Sequence, residues 1–110
     1  MAEQDQLLSN AFQAFMKESP GHAQAWMQGV RGLAAASALD AKTQALAYLA
    51  VLAAMRLESG VPFHVVQAKQ AGASRDEVIS ALLVGLPAAG NAVTQSLPAA
   101  IQAYDLGQGG

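Results

Sequence analysis

The chain has 110 residues, of which 53% are hydrophobic and 13% are charged, with a formal net charge of -2 at pH 7. A chain of this length forms one domain, residues 1–110, and its slightly acidic balance without a basic stripe argues against nucleic acid as a partner. Cysteine is absent, which excludes disulfides, thiolate metal sites and cysteine nucleophiles. We expect neither a metal site nor a cofactor.

The scarcity of charged side chains predicts that part of the surface is covered in the functional state. A soluble domain usually has about a quarter of its residues charged, and large exposed apolar patches are rare on soluble monomers. We therefore expect copies of the chain to pack against one another as a homo-oligomer. The alternative is a monomer rich in alanine, which adds to the apolar count while burying little area.

No targeting or membrane segment is predicted. Glu3 and Asp5 stand where a signal peptide would carry lysine or arginine. The longest unbroken apolar run, residues 45–55, is shorter than the roughly 20 residues that a membrane span needs. We therefore expect a cytoplasmic protein that does not contact a membrane.

Two amphipathic helices are predicted before residue 40. Over residues 3–18, apolar side chains recur at helical spacing on one stripe. Ser19 and Pro20 then form an N-cap followed by proline at the first helical position, and the second helix fades near Ala36. Both helices are expected to be scaffolding that faces the core. The two stripes contain Leu7, Leu8, Ala11, Phe12, Phe15 and Met16 in the first helix, and Ala23, Trp26, Met27, Val30, Leu33 and Ala34 in the second.

The third helix, at about residues 41–57, differs because no face of it is polar. After Lys42 and Gln44 it carries no charge before Arg56, and a helix that is apolar all round is a buried one. Its alanines allow neighbouring helices to approach closely. Tyr48 is the one polar side chain of this apolar run, and its hydroxyl should find a partner. This helix is the predicted centre of the fold.

Glycine and proline mark the limits of the next two helices. Gly60 breaks the chain and Pro62 opens the fourth helix. Gly72 should close that helix, since glycine in the left-handed conformation commonly stands just past a helix end. Ser74 and Glu77 have the spacing of a capping box, which predicts the start of a fifth helix.

The last part of the chain is predicted to be a broken helix followed by a short tail. Pro87, Gly90 and Pro98 interrupt or precede the helical pattern of residues 89–105, so this sixth helix should be broken or kinked. Residues 107–110 are predicted to be disordered. Since no alternation typical of strands appears, the predicted fold is all-α, a bundle of about six helices.

Several features from residue 39 onward form a recognisable series. They are the capped L-D-A-K start of the third helix, the apolar run L-A-Y-L-A-V-L, His64, and the segment A-x-x-A-G-A-S-x-x-E-V over residues 68–78. The series resembles the carboxymuconolactone decarboxylase and alkylhydroperoxidase-D (AhpD-like) family, most strongly over residues 39–92. The resemblance implies a helical bundle around the third helix, assembled as a trimer or hexamer, that acts on a small molecule.

The chain departs from the peroxidase-type members of that family. Those members carry a glutamate early in the buried helix and a C-x-x-C motif that ends four residues before the histidine. Here Ala45, Leu57 and Gly60 occupy the three positions, and thiol–disulfide exchange needs a thiolate. The chain looks closer to the decarboxylase branch. The resemblance therefore implies a lyase that decarboxylates or isomerises a lactone or related carboxylated compound, and not a thiol peroxidase.

His64 is the predicted proton donor or acceptor. It falls in the first turn of the fourth helix, where the positive end of the helix dipole disfavours the imidazolium form. A neutral imidazole can donate a hydrogen bond to a substrate oxygen or carry a proton, which typically contributes about 10²- to 10⁴-fold to a rate. The alternative is a structural histidine with no part in chemistry.

Three more residues are candidates for the same site. Glu58 could face His64 across the break and act as a second catalytic group, or it could be a solvated glutamate at a helix end. Arg56 could bind a substrate carboxylate, or it could cap the third helix. Tyr48 could line the substrate site or belong to the core.

A non-catalytic function is the competing hypothesis. Active sites usually assemble several perturbed ionisable groups, and only Arg56, Glu58 and His64 are within reach of one another along the sequence. On this hypothesis, the chain is a helical oligomer that binds a ligand or a protein partner.

Overall fold

The structure is a computed structural model, and it describes residues 7–106. No strand occurs in this range, which confirms the all-α prediction. The predicted tail at residues 107–110 and the start of the predicted first helix, residues 3–6, lie outside the described residues. The α-helices are α1 (Asn10–Glu18), α2 (Pro20–Ala36), α3 (Ala41–Ala54), α4 (Val61–Gln70), α5 (Arg75–Leu83), α6 (Leu86–Ala89) and α7 (Leu97–Leu106), with short 3-10 helices at Glu58–Gly60 and Gly90–Ser96.

Three helices begin at polar side chains that bond to the first turn. Ser9 accepts a hydrogen bond from the Phe12 amide at the start of α1. Asp40 accepts one from the Thr43 amide, 2.7 Å away, at the start of α3. The capping box predicted for Ser74 and Glu77 is confirmed at the start of α5. These bonds satisfy amide groups that have no partner within the helix.

Ser19 behaves differently from its prediction as an N-cap. It directly precedes α2, but its side chain makes no capping hydrogen bond. Its hydroxyl pairs instead with Nδ1 of His22, one turn into the helix. The helix start therefore depends on Pro20, whose fixed φ suits the first helical position.

The helices α3 and α4 end in the same hydrogen-bonding pattern. After α4, Gly72 has a φ of 102°, and the Ala73 amide donates to the Ala68 carbonyl. After α3, Arg56 has a φ of 61°, and the Leu57 amide donates to the carbonyl of Leu52. Both ends are Schellman motifs, in which one residue adopts the left-handed conformation. This motif ends α3 at Ala54, three residues before the predicted boundary.

The core lies between α3, α4, α5, α7 and the second 3-10 helix. The helix α3 contributes Leu49, Leu52 and Ala53 to it. Its opposite side, which includes Tyr48 and Val51, is exposed. The expectation that α3 is buried on every side is therefore wrong for the single chain. The other residues of the core cluster are Val61, Val65, Ala68, Ala73, Val78, Leu82, Val93, Ala100 and Ala103.

The predicted break in the sixth helix is confirmed. The segment divides into α6, the 3-10 helix Gly90–Ser96 and α7, and Gly90 has a φ of 77°. Two long-range bonds then fix α7 to the end of α4. The Tyr104 hydroxyl donates to the Ala73 carbonyl at 2.8 Å, and the Lys69 ammonium donates to the Tyr104 carbonyl at 2.8 Å.

The stretch Arg75–Leu106 is long and apolar enough to cross a membrane by length and composition. It does not form one rod, however, because α5 ends at Leu83 and the backbone turns at Gly90. The helix α7 folds back against α5, and Arg75 pairs with Asp105 across the two helices at 2.9 Å. A spanning helix needs roughly 20 residues in one continuous element, which this folded-back stretch does not provide.

The hairpin formed by α1 and α2 stands apart from the core. Helix α2 packs mainly against α1, and Ala23 is its one buried residue. No residue of either helix belongs to the core cluster or to the partly buried residues packed around it. The expectation that both helices face the core is therefore wrong for the single chain.

The two Schellman motifs generate a paired stability prediction. A residue with a side chain costs about 1 kcal/mol more than glycine in the left-handed conformation. Arg56→Gly should therefore raise the free energy of unfolding by about 1 kcal/mol, and Gly72→Ala should lower it by at least as much. A Cβ on Gly72 would meet no atom within 4 Å, so the second cost is conformational. Urea unfolding at one protein concentration measures both, and a destabilised Arg56→Gly variant would contradict the assignment.

Candidate functional site

Tyr48 and His64 form the centre of the candidate site. Tyr48 lies on the exposed side of α3, and His64 lies in the first turn of α4. Because the two helices pack together, the rings meet with their centroids 4.6 Å apart and their planes tilted by 57°. The Phe63 ring adds an edge contact at 5.3 Å. The imidazole is thus half-buried between two aromatic rings.

A hydrogen bond fixes the orientation of the imidazole. Nδ1 of His64 and Oε1 of Gln67 are 3.1 Å apart. An amide oxygen can only accept, so Nδ1 carries the hydrogen, and Nε2 of the neutral ring carries the lone pair. Within residues 7–106, neither Nε2 nor the Tyr48 hydroxyl has a hydrogen-bonding partner. Both polar atoms are therefore available to a ligand, and the partner predicted for the Tyr48 hydroxyl is not found among residues 7–106.

Burial lowers the pKa of His64 below its ordinary value, because the surrounding rings disfavour the charged form. The Gln67 hydrogen bond opposes this shift and is the smaller of the two effects. The site therefore favours a neutral imidazole near pH 7, as the sequence predicted. The cause in the structure is desolvation, whereas the sequence argument relied on the helix dipole.

Arg56 and Glu58 do not join this pair. No hydrogen bond or ion pair links either side chain to His64 in the described part of the chain. Arg56 is exposed, and its backbone closes α3. The Glu58 side chain is half-buried, and the backbone carbonyl of Glu58 accepts a hydrogen bond from the Val61 amide. Of the four candidates, the structure brings together Tyr48 and His64.

Sequence reasoning missed Phe63 and Gln67. The position of Gln67, three residues after His64, places the two side chains on the same face of a helix, and this spacing was available in the sequence. Phe63 is adjacent to His64 in the chain, but the edge contact depends on rotamers that spacing does not predict. Both residues are part of what surrounds and orients the imidazole.

The available chemistry is proton transfer and hydrogen bonding. Within residues 7–106, no group of three or more histidine, cysteine, aspartate or glutamate residues could hold a metal ion. The site offers a neutral nitrogen base, Nε2 of His64, and a phenolic donor, the hydroxyl of Tyr48. Such a pair can remove a proton from carbon, return it, and donate a hydrogen bond to a nearby oxyanion.

The geometry predicts the titration of His64. Its pKa should lie below 6.5, and Tyr48→Ala should raise it, since removal of the ring readmits water. NMR detection of the imidazole protons measures this directly, because the chain has two histidines. His22→Gln assigns the remaining signal to His64. A His64 pKa at or above the ordinary value in the unsubstituted chain would contradict the burial of the ring.

The same shift predicts how stability depends on pH. Because the folded state holds the proton of His64 less tightly than the unfolded chain, the neutral imidazole contributes stability that is fully present above about pH 6.5. That contribution is lost as the pH falls through the lower pKa of the folded state. His64→Gln should therefore flatten the decline in the free energy of unfolding below pH 6.5, and His22→Gln is the control. Equal slopes in the two variants would contradict the prediction.

Comparison with known families agrees with the resemblance noted in the sequence. The model of the carboxymuconolactone decarboxylase family matches residues 20–102. This match extends from the start of α2 into α7, and it includes both Tyr48 and His64. No curated protein and no solved structure matched the chain. The chain belongs to the carboxymuconolactone decarboxylase family.

Proposed function

We propose that the chain is a small-molecule lyase that decarboxylates or isomerises a lactone or related carboxylated compound, as in the decarboxylase branch of its family. The observation that carries this proposal is the Tyr48–His64 pair. The half-buried neutral imidazole has one nitrogen fixed by Gln67, and its other nitrogen has no partner within residues 7–106. It lies beside a phenol whose hydroxyl has no partner in the same range. His64 is the proton carrier, and Tyr48 is the hydrogen-bond donor.

Decarboxylation makes two demands that this pair can meet. The carbon–carbon bond to the carboxylate breaks, carbon dioxide leaves, and the electron pair passes into the lactone as an enolate. The Tyr48 hydroxyl donates a hydrogen bond to the enolate oxygen. Nε2 of His64 takes a proton from solvent and delivers it to carbon, so the reaction consumes one proton for each carbon dioxide released. For isomerisation, Nε2 removes a proton from one carbon and returns it to another.

The apolar surroundings support the loss of carbon dioxide. The Tyr48 and Phe63 rings flank His64, and no charged group of the described range is among the causes of its pKa shift. A carboxylate held against such a surface is less solvated than in water, whereas carbon dioxide is neutral and gives up little hydration. This difference in hydration favours cleavage of the bond and release of carbon dioxide. The roles of Glu58 as a second catalytic group and of Arg56 as a carboxylate ligand stay predictions.

A binding function without catalysis is the second candidate. It is favoured by the small number of ionisable groups, since no hydrogen bond or ion pair links Arg56 or Glu58 to His64 within residues 7–106. On this hypothesis, the Tyr48–His64 pair recognises a ligand oxygen by hydrogen bonding and performs no chemistry. Because the sequence contains no cysteine, neither hypothesis includes thiol-dependent peroxide reduction, which needs a thiolate.

Substitutions at Tyr48 and His64 distinguish the catalytic function from the binding function. His64→Gln should lower kcat/KM for carboxymuconolactone decarboxylation by about 10²- to 10⁴-fold. Tyr48→Phe, which keeps the ring contact but removes the hydroxyl, should lower kcat by about 10²-fold. Release of carbon dioxide measures both, and His22→Gln is the matched control that should retain full activity. An unchanged rate in His64→Gln would end the catalytic proposal. Saturable binding of the lactone without turnover in the unsubstituted chain would favour the binding function.

A further inference from the structure

The imidazole of His64 has no charged partner in the described part of the chain. The hydrogen bond to Nδ1 comes from an amide oxygen, that of Gln67, which accepts a hydrogen but carries no charge. The two rings that flank the imidazole, Tyr48 and Phe63, are also uncharged. Within residues 7–106, Arg56 and Glu58 form no hydrogen bond or ion pair with His64.

The charged side chains of the neighbouring elements are engaged elsewhere. The elements that pack against α4 are α3, α5, α7 and the 3-10 turn before it, and Tyr48 of α3 is the titratable side chain whose ring contacts His64. No charged group of the described residues contributes to the lowered pKa of His64. The engaged groups are Lys42 with Glu77 and Arg75 with Asp105, each pair at 2.9 Å, Asp76 beside Arg75, and Lys69 on the Tyr104 carbonyl.

A ligand carboxylate would bring a negative charge to an imidazole that lacks one. A charge of opposite sign within about 4–6 Å favours the charged form of a titratable group, and the attraction is stronger where water is excluded. Nε2 of His64 has no partner within residues 7–106, so a ligand oxygen can bond to it. A buried carboxylate is costly without a partner, and so is a buried imidazolium. Each charge therefore stabilises the other when both are present.

We propose that binding of a carboxylated ligand protonates His64 at Nε2, and that the uncharged amide of Gln67 leaves the place of its anionic partner to the ligand. The inference rests on the proposed function for the class of ligand, a carboxylated compound. It adds the moment at which the catalytic proton enters the site. The proton arrives with the substrate, before the carbon–carbon bond breaks.

The sequence of charges balances over the reaction. Solvent supplies one proton to Nε2 as the carboxylate binds. The bond to the carboxylate breaks, carbon dioxide leaves, and the electron pair forms the enolate, so the imidazolium of His64 still faces one negative charge. The proton then passes from Nε2 to carbon, which removes both charges and returns the imidazole to its neutral form. The attraction that held the proton is thus lost in the step that delivers it.

Gln67 is the positioning residue in this scheme. Nδ1 of His64 donates to the amide oxygen in the neutral and in the protonated ring alike, so the ring keeps its orientation when Nε2 gains its proton. A carboxylate at residue 67 would instead favour the imidazolium before any ligand binds. The free site would then already hold the proton that the ligand is proposed to bring.

The first experiment counts the protons taken up on binding. The probe is γ-carboxy-γ-butyrolactone, a saturated lactone whose carboxylate lies away from the carbonyl, so loss of carbon dioxide would not give an enolate. Calorimetric titration near pH 7, in buffers of different ionisation enthalpy, should show uptake approaching one proton for each bound carboxylate. The carboxamide of the same lactone should cause no uptake. His64→Gln should abolish the uptake, and His22→Gln is the matched control that should retain it.

The second experiment follows the dissociation constant of the probe as the pH changes. Between the pKa of His64 in the free chain and its higher pKa in the complex, Kd should rise by up to about tenfold for each pH unit. Below this window the imidazolium is present before binding, and above it the ring is neutral in both states, so Kd should level off. NMR titration of His64 in the His22→Gln chain, with and without the probe, measures both limits.

Substitution of Gln67 tests its role through the same signal. Gln67→Glu should raise the pKa of His64 in the free chain and reduce proton uptake near pH 7. Gln67→Met keeps the size of the side chain but removes the acceptor, so it should lower the pKa, since the hydrogen bond now raises it. A residue that only fills space would not move the pKa in opposite directions. Circular dichroism checks that both variants keep their helices.

The outcomes separate this inference from the proposed function. Uptake that requires the carboxylate and His64 supports the inference. Binding without uptake overturns it, and so does a probe that does not bind at any pH. Uptake that persists in His64→Gln, that is lost in Arg56→Gln, or that is unchanged in Gln67→Glu also overturns it. Uptake without release of carbon dioxide from carboxymuconolactone keeps the inference and rejects the lyase, whereas release without uptake on probe binding does the reverse.

Discussion

The reversal of the chain between α3 and α4 is the constraint on which the candidate site depends. The Leu57 amide bonds back to the Leu52 carbonyl, and Arg56 takes the left-handed conformation that this bond requires. The short 3-10 turn that follows leads directly into α4, whose first turn returns beside α3. Without that reversal the His64 imidazole would not meet the Tyr48 ring. The backbone at Arg56 therefore has a greater structural effect on the site than its guanidinium.

The caps and breaks of the helices could be predicted from the sequence because they arise from local interactions. The capping box at Ser74 and Glu77, the left-handed Gly72 and the broken last helix each depend on a few adjacent residues. Arg56 was not foreseen as a left-handed residue, since glycine is the usual occupant and an arginine gives no signal for it. The three-residue error at the end of α3 follows from that single position.

The position of the first two helices could not be predicted for a different reason. The stripe formed by Trp26, Val30 and Leu33 indicates that α2 buries a side, but it does not identify what covers that side. The same limit applies to α3, for which apolar composition was taken to mean burial within one chain. For the site, the family resemblance and the place of His64 in the first turn of its helix indicated that residue. Whether Glu58 bonds to His64 depends on the geometry of a short turn that no sequence pattern encodes.

The weak attachment of the α1–α2 hairpin to the core divides the chain into two units of different cooperativity. The helices α3, α4, α5 and α7 share one cluster of buried side chains, and α7 is further fixed to α4 through Tyr104 and Lys69. We expect their backbone amides to exchange with solvent mainly when the whole unit unfolds, and the hairpin to open by itself with a smaller free energy. In an isolated chain, a measurement that follows unfolding of the core therefore does not show whether the hairpin is folded.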